Sequence, residues 1–381
     1  MANILDYLKW RGDIPFTMIP FNEIDGLILS ELSYIYWRRD SDGSANKDLK
    51  TMYKMMCNLP YTRQISSDED KLLFSSCAES LRFGDIIVVD YQSDTDEKEG
   101  KQFAAITFFL PDNTVFIAFL GTDGTIVGWE EDCNLAFSDP IPAQVEAAQY
   151  LSKIARQYPN KLRVGGHSKG GNMAVFSACS VSEEIRDRII TVYNYDGPGL
   201  SDRIEAAIYY SRIADIMEVY VPQSSMIGML LSHAQNVAFV AADSHSVFQH
   251  NPYYWHVNAT GFELTERSKD SEFVESVIHN WLKTVEDSER RMLIDAVFKV
   301  IKETNAVAFN REILFKLTQN PLLIGKALQS YTSEDKKTVL KKLADLSTFI
   351  HQEASTREKR LIQDAFISAN DKLKELIRAS N

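Results

Sequence analysis

The sequence predicts an α/β fold, in which helices flank a mainly parallel sheet, followed by a helical C-terminal appendage. In the first two thirds of the chain, short apolar runs suited to strands alternate with helical segments. From about residue 265 the periodicity is helical alone. The stretch "LRVGGHSKGGNMAVFSA", residues 162–178, sets Ser168 among glycines where a strand gives way to a helix. We expect two regions, residues 1–264 and residues 265–381.

Composition excludes several classes of protein. The chain has 381 residues, of which 45% are hydrophobic and 25% charged, as in a typical globular protein. Its net charge of −12 makes nucleic acid an unfavourable partner. The sequence as a whole indicates no particular oligomeric state. No apolar run approaches the roughly 18 to 20 residues that span a bilayer, and the N-terminal residues do not resemble a secretory signal. We therefore expect a cytoplasmic protein without a membrane span.

The four cysteines, Cys57, Cys77, Cys133 and Cys179, are scattered without a C-x-x-C pair. This spacing predicts neither a zinc site nor a disulfide framework. We expect buried or unreactive thiols, and neither a metal nor a cofactor.

The N-terminal 80 residues are predicted to be helical. "FNEIDGLILSELSYI" places Ile24, Leu27, Ile28 and Leu32 at helical spacing, which indicates a packing helix. Strands are then predicted at "DIIVVDY", "QFAAITFFL" and "TVFIAFL", with "PDN" as a hairpin turn between the last two. The charged "SDTDEKEGK" between the first two strands is predicted to be a solvated loop.

Strands and helices alternate after residue 140. "PAQVEAAQYLSKIARQY" is predicted to be a helix with one apolar stripe, formed by Val145, Ala148, Tyr150, Leu151 and Ile154. "LRVGG" follows as a buried strand and "NMAVFSACS" as a helix. Further strands are predicted at "RIITVYNYD", "DIMEVYVP" and "NVAFVAAD".

The C-terminal region carries several amphipathic faces. One of them comprises Val339, Leu340, Leu343, Leu346 and Ile350. The segment "YTSEDKKTV" just before it has a start that resembles a capping box, at Thr332 and Asp335.

Ser168 lies in a Gly-x-Ser-x-Gly turn between the predicted strand and helix. This arrangement is typical of a nucleophile elbow, a strained turn that projects the serine hydroxyl above the sheet. The alternative is a glycine-rich turn between strand and helix in which the serine caps the helix. Gly166 and Gly170 flank the serine where a Cβ atom would collide with neighbouring elements. The N-terminus of the following helix points at the same place and would favour a developing oxyanion.

A resemblance to known families adds to this interpretation. The segment "IAFLGTDGTIVGWEEDCN", followed by "GGHSKGG", resembles the fungal-type (class 3) lipases. "PFNEIDGLILSELSY", "GWEEDCNLAF", "YDGPG" and "QHNPYYW" more closely resemble the Mbeg-like family of uncharacterised bacterial lipase-like α/β-hydrolases. This resemblance covers about residues 2–300 and implies an α/β-hydrolase fold and a presumed hydrolase.

The resemblance implies roles for individual residues. Ser168 matches the nucleophile, Thr122 matches an oxyanion-binding residue, and Lys169 would contribute its backbone N–H to the same site. Two departures stand out. Leu120 replaces an arginine of the class 3 lipases, and "YVPQSSMIGM" has no acid where those lipases supply their catalytic aspartate.

A serine nucleophile needs a histidine as base and a carboxylate that orients it, in the chain order Ser, Asp or Glu, His for this fold. Asp196 ends the strand after the elbow helix, at the sheet edge where the site must lie, and is our first choice. Asp243 is the alternative acid. His250 is the expected base because the turn at Asn251 and Pro252 would hold it rigidly, and His245 is the alternative.

Two apolar segments could shape a substrate site. "SSMIGMLL", residues 224–231, is either an acyl-accepting wall or lid, or a core helix. Tyr253, Tyr254 and Trp255 either line the pocket or pack in the core.

We expect a serine hydrolase of the lipase or esterase type that acts on a small-molecule or lipid acyl ester. A thioesterase, acyltransferase or peptidase using the same residues is an alternative. A non-catalytic binding protein on a hydrolase fold is another, since fold alone does not determine function.

Overall fold

The structure, a computed structural model, describes most of the first 272 residues and short parts of the remainder. The described residues are 1–35, 37, 46–56, 67–96, 98–122, 131, 135, 140–200, 210–225, 227–228, 237–243, 249–269, 271–272, 285–286, 288–289, 292, 296, 299, 331–339 and 341–342.

An eight-stranded sheet forms the centre of the fold, and its strands lie side by side in chain order. β1 to β4 pair antiparallel, whereas β4 to β8 pair parallel. The predicted α/β class and mainly parallel sheet are therefore confirmed. The strands are β1 (Lys47–Asp48), β2 (Ile87–Asp96), β3 (Lys101–Phe109), β4 (Val115–Phe119), β5 (Leu162–His167), β6 (Ile189–Tyr195), β7 (Met217–Pro222) and β8 (Val237–Val240).

Helices cover both faces of the sheet. They are α1 (Ile4–Arg11), α2 (Glu23–Glu31), α3 (Leu49–Met56), α4 (Asp68–Glu79), α5 (Pro142–Gln157), α6 (Lys169–Ser180) and α7 (Glu183–Arg186), with 3₁₀ turns at Leu32–Tyr34, Tyr210–Arg212, Ala214–Ile216 and Pro252–Tyr254. The N-terminal helices pack on one face and α5 and α6 on the other. Each face of the sheet therefore has its own hydrophobic core. On β4, Phe116 and Ala118 belong to the core under the N-terminal helices, and the alternate residues Val115, Ile117 and Phe119 belong to the core under α5 and α6.

Two local predictions need correction. β2 continues to Asp96, so most of the predicted loop "SDTDEKEGK" is a β-hairpin in which Asp94 pairs with Phe103. The loop was predicted because this segment is rich in charged side chains. In a hairpin, however, the backbone can be hydrogen-bonded to the next strand while the side chains remain exposed to solvent. The apolar stripe of α5 also excludes Val145, which is 39% exposed, and passes through Ala143 and Ala147 instead.

The chain divides into two compact units, the first comprising Met1–Ser271 and the second beginning at Glu272. In the second unit, Val285, Ala296 and Val339 form a small apolar cluster. The capping box is present, because Thr332 Oγ1 accepts from the Asp335 N–H at 3.1 Å and Asp335 Oδ2 accepts from the Thr332 N–H at 3.3 Å. Most of the predicted C-terminal helical faces lie outside the described residues.

Two of the cysteines, Cys77 and Cys179, are buried, as predicted, and Cys57 and Cys133 lie outside the described residues. Within the described ranges, none of the helices combines the length and the apolar character needed to cross a bilayer.

A buried ion pair joins α2, which contains Asp25, to the turn between α4 and β2, which contains Arg82. Arg82 donates to both carboxylate oxygens of Asp25, at 2.7 and 2.5 Å, and to the backbone oxygens of Ile14, Ile19 and Pro20. Both side chains of the pair are fully buried. Removing one partner would leave the other charge desolvated and without compensation.

We predict that Asp25→Ala lowers the free energy of unfolding by about 3–5 kcal/mol, because it leaves the Arg82 charge buried alone. The exposed pair between Lys50 and Asp85, at 2.7 Å, provides the control. Asp85→Ala should cost less than about 1 kcal/mol. Urea unfolding of both variants measures the difference, and equal losses would contradict the interpretation.

Candidate active site

Ser168 occupies a strained turn between β5 and α6. Its backbone has φ 59° and ψ −133°, a positive-φ conformation that costs a non-glycine residue about 1–3 kcal/mol. The turn is held by hydrogen bonds on both sides, from the Ser168 N–H to the Tyr195 oxygen and from the Gly171 N–H to the Ser168 oxygen, each 2.9 Å. The predicted strand–serine–helix geometry is therefore present, and Ser168 as a whole is 7% exposed.

The glycines around Ser168 permit backbone contact between adjacent elements. A Cβ atom on Gly166 would lie 2.3 Å from the Gly170 carbonyl carbon, and one on Gly170 would lie 2.1 Å from the Phe119 oxygen. A Cβ atom on Gly121, just beyond β4, would lie 3.1 Å from that of Ser168. The end of β4 therefore lies directly against the elbow.

Asp196 and His250 are brought together beside the elbow. His250 Nδ1 lies 2.6 Å from Asp196 Oδ2. The imidazole of His250 is also next to the ring of His167, the residue before Ser168, with ring centroids 4.5 Å apart. Asp196 follows β6 and, like Ser168, has a positive φ, of 51°. Positive-φ residues thus end two neighbouring strands at the same edge of the sheet.

The expected turn after His250 is present. Pro252–Tyr254 forms a 3₁₀ turn, and Asn251 caps it by accepting from the Tyr253 N–H at 3.0 Å. The His250 side chain is 21% exposed, whereas that of Asp196 is fully buried. This burial pattern suits a fixed carboxylate behind an imidazole that substrate can reach.

The loop after β7 contains no acidic residue, and it forms a hydrogen bond to Asp196 through Ser225. Ser225 Oγ donates to Asp196 Oδ1 at 2.5 Å, and it accepts from the Gly228 N–H at 3.1 Å. Burial raises the pKa of the Asp196 carboxyl, while hydrogen bonds from His250 and Ser225 act in the opposite direction. No local sequence pattern indicates a role for Ser225, because its contact with Asp196 spans 29 residues of chain.

His167 supports the backbone of His250. Its Nε2 lies 2.8 Å from the His250 carbonyl oxygen, which can only accept, so Nε2 carries the proton. Its Nδ1 lies 3.3 Å from the Tyr34 hydroxyl and 3.3 Å from Glu31 Oε1. Burial, followed by the neighbouring His250, places the pKa of His167 well below its ordinary value. His167 is thus a neutral structural residue inside the site.

Glu31 is a buried carboxyl behind His167. Its Oε1 makes no hydrogen bond with any described residue. Burial, and secondarily the charge of Asp70, raises the pKa of the Glu31 carboxyl well above its ordinary value. Glu31 is therefore protonated in the folded chain over a range of pH in which the unfolded chain has lost that proton.

The alternative site residues lie elsewhere. Asp243 is half exposed and pairs with the N-terminal ammonium and with His256, each at 2.8 Å. His245 lies outside the described residues. Tyr253 and Trp255 are buried and donate to Asp70 and to the Gln249 oxygen, so both pack in the core, while Tyr254 is 45% exposed.

The predicted oxyanion-binding residues flank Ser168. Lys169 begins α6 directly after the serine, and Thr122 follows Gly121 at the end of β4. Leu120, which replaces the lipase arginine, is buried. Of the segment 224–231, the structure describes residues 224–225 and 227–228, so half of the expected lid or wall lies outside the described residues. No group of three His, Cys, Asp or Glu side chains that could hold a metal ion occurs among the described residues.

The sheet order together with the strand–serine–helix turn defines an α/β-hydrolase fold. A family model described as Mbeg1-like matches residues 77–299, more than half of the chain, and the chain belongs to this family. The resemblance found in the sequence is therefore confirmed. No curated protein matches the chain.

Three solved structures of lipases are similar to part of the chain. The native propeptide complex of Rhizomucor miehei lipase is 16% identical, with 47% of this chain and 70% of that chain covered and a TM-score of 0.33. M37 lipase is 14% identical, with 55% and 70% covered and a TM-score of 0.37. Lipase II from Rhizopus niveus is 14% identical, with 49% and 75% covered and a TM-score of 0.32.

We predict that Gly170→Ala disrupts the elbow, because the new methyl group would meet the backbone of Phe119. Overpacking of this kind lowers the free energy of unfolding by about 1–3 kcal/mol. Ser180→Ala, at the exposed end of the same helix, is the control and should have little effect. Urea unfolding measures both variants, and a Gly170→Ala protein as stable as the control would contradict the close approach.

We predict that Glu31→Gln removes part of the pH dependence of stability. Folded Glu31 keeps a proton that the unfolded chain loses above a pKa of about 4.3, so folding binds a proton over this range. The free energy of unfolding of the unsubstituted protein should therefore fall by up to about 1.4 kcal/mol per pH unit as the pH rises. The variant lacks this slope. Parallel stability curves from pH 4 to pH 8 would refute the prediction.

Proposed function

We propose that the protein is a serine hydrolase of the lipase or esterase type, which cleaves an acyl ester through an acyl-enzyme on Ser168. The observation that supports this most strongly is the 2.6 Å contact between His250 Nδ1 and Asp196 Oδ2, beside a serine held at positive φ between β5 and α6. A hydroxyl, an imidazole and a buried carboxylate in this chain order are the groups that acyl transfer requires.

In the proposed reaction, His250 Nε2 takes the proton of the Ser168 hydroxyl as Oγ attacks the ester carbonyl. Asp196 accepts from His250 Nδ1–H, which leaves Nε2 available as the base. The carboxylate also stabilises the imidazolium that forms. Because Asp196 is itself held by Ser225 and fully buried, it restrains the ring without rearrangement.

Attack places a negative charge on the former carbonyl oxygen. The backbone N–H groups of Lys169 and Thr122 would stabilise this charge, and removing one such donor typically costs a factor of about 10²–10³ in kcat. The tetrahedral intermediate then collapses as imidazolium returns its proton to the leaving alcohol. The acyl group remains on Ser168 Oγ.

Water completes the cycle. His250 takes a proton from water as its oxygen attacks the acyl carbonyl, and the proton then passes to Ser168 Oγ as the acid product leaves. The substrate class that this chemistry fits is a small-molecule or lipid acyl ester. No step requires a metal or a cofactor.

We predict that Ser168→Ala abolishes both labelling by a fluorophosphonate probe and hydrolysis of p-nitrophenyl esters, because the attacking oxygen is gone. Asp196→Asn should lower kcat by about 10⁴ through loss of the correct imidazole tautomer. Asp243→Asn is the matched control, since that carboxylate pairs with the N-terminus and His256. Its kcat should stay within about twofold of the unsubstituted protein.

The same assays can reject the proposal. A folded protein that neither takes up the probe nor hydrolyses any ester would show that Ser168 is not a nucleophile. Turnover that survives Ser168→Ala, or that is lost in Asp243→Asn but not in Asp196→Asn, would assign the chemistry to other residues. Acyl-CoA and peptide substrates in the same panel separate the thioesterase, acyltransferase and peptidase alternatives.

A further inference from the structure

The side chain of Lys169 points into the protein, although its backbone begins the elbow helix. This side chain is fully buried, and its ammonium donates to Gln102 Oε1 at 2.7 Å and to the Gln102 backbone oxygen at 3.0 Å, both on β3. It also pairs with Glu131 Oε2 at 3.0 Å. The residue after the serine thus connects α6 to β3 through the core.

Glu131 is a fully buried partner with further hydrogen bonds. Its Oε2 accepts from the Gln102 N–H at 3.0 Å, and its Oε1 accepts from the Ala143 N–H, in the first turn of α5, at 3.0 Å. A buried ion pair is tolerated when its remaining hydrogen-bonding groups are satisfied in this way. The Lys169 charge is therefore neutralised inside the protein, and its position is fixed.

Gln102 connects the buried Lys169 ammonium to the backbone just beyond β4. Its Nε2 donates to the Gly121 backbone oxygen at 3.4 Å, while its Oε1 accepts from Lys169. The Gly121 oxygen and the Thr122 N–H belong to one trans peptide, so they point in opposite directions. Gly121 itself lies against the elbow, since a Cβ atom there would be 2.6 Å from the His167 oxygen.

We propose that Gln102, held by the Lys169 ammonium, is a positioning residue for the oxyanion-binding site. By holding the Gly121 oxygen, Gln102 turns the Thr122 N–H toward the oxyanion that forms at Ser168. Lys169 thus acts twice, directly through its backbone N–H and indirectly through its ammonium. This inference rests on the proposed function, since it assigns a supporting role within the same reaction.

Gln102→Met tests the proposal, because it keeps the size of the side chain and removes both of its hydrogen bonds. Lys169 would still donate to the residue 102 backbone oxygen and to Glu131. The Thr122 donor would be misaligned instead of deleted, so kcat for a p-nitrophenyl ester should fall about tenfold to a hundredfold. KM should stay within about twofold, because the oxyanion exists only in the transition state.

Thr107→Val is the matched control. It also removes a buried hydrogen bond from a β3 side chain, the 2.8 Å contact with the Tyr150 hydroxyl, but far along the strand from Gly121. Its kcat should be unchanged.

If Gln102→Met does not fold, Gln102→Asn replaces it, since the shorter amide keeps its polarity but cannot span the distance between Lys169 and Gly121. Urea unfolding identifies the folded variants.

A second readout does not depend on activity. The sequence contains two Gly-Thr peptides, Gly121–Thr122 and Gly124–Thr125. Protein labelled with carbonyl ¹³C in glycine and ¹⁵N in threonine therefore gives two correlated NMR signals, which Thr125→Ser assigns. The Gly121–Thr122 signal should shift in Gln102→Met and stay unchanged in Thr107→Val.

Two outcomes would overturn the proposal. One is a folded Gln102→Met protein with the kcat and KM of the Thr107→Val control, or with a raised KM alone. The other is an unchanged Gly121–Thr122 signal. If the unsubstituted protein has no turnover at all, the proposed function fails separately, and the NMR signal alone decides whether Gln102 orients this peptide.

Discussion

The carboxyl ends of β4, β5 and β6 meet at Ser168 at backbone contact distance, and the rest of the site depends on this approach. It is possible because glycine occupies the contact positions. A Cβ atom on Gly197 would lie 2.3 Å from the Ser168 oxygen, and those on Gly121 and Gly170 would be similarly obstructed. Ser168 and Asp196, which directly follow β5 and β6, both have positive φ. The backbone strain at these two residues persists because the strands that precede them, β5 and β6, are mostly buried and cannot shift to relieve it.

Burial of Asp196 determines the polar architecture around that junction. A desolvated carboxylate is stable only when its oxygens are hydrogen-bonded, and here His250 and Ser225 each provide a donor. His250 is in turn held through its own carbonyl by His167. The loop after β7, which lacks an acid, supports the acid that follows β6. The loop after β7 therefore stabilises the carboxylate that follows β6 and does not supply a carboxylate itself.

The sequence predicted what local patterns encode. The glycines around Ser168 indicated the strained turn, apolar runs indicated the strands, and the Asn251–Pro252 pair indicated the turn after His250. It could not predict that Gln102, Glu131 and Lys169 form one buried network, because these contacts span 29 to 67 residues and polar side chains in a strand look solvated. The error at Val145 has a similar origin, since periodicity fixes spacing but not which stripe faces the core.

The most direct measurement is a crystal structure of the protein after reaction with a fluorophosphonate, whose phosphoryl oxygen represents the oxyanion. Our account predicts phosphorus bonded to Ser168 Oγ, His250 still paired with Asp196, and the phosphoryl oxygen about 2.7–3.1 Å from the N–H groups of Thr122 and Lys169. Phosphorus on another residue, or an oxygen directed away from both N–H groups, would contradict it.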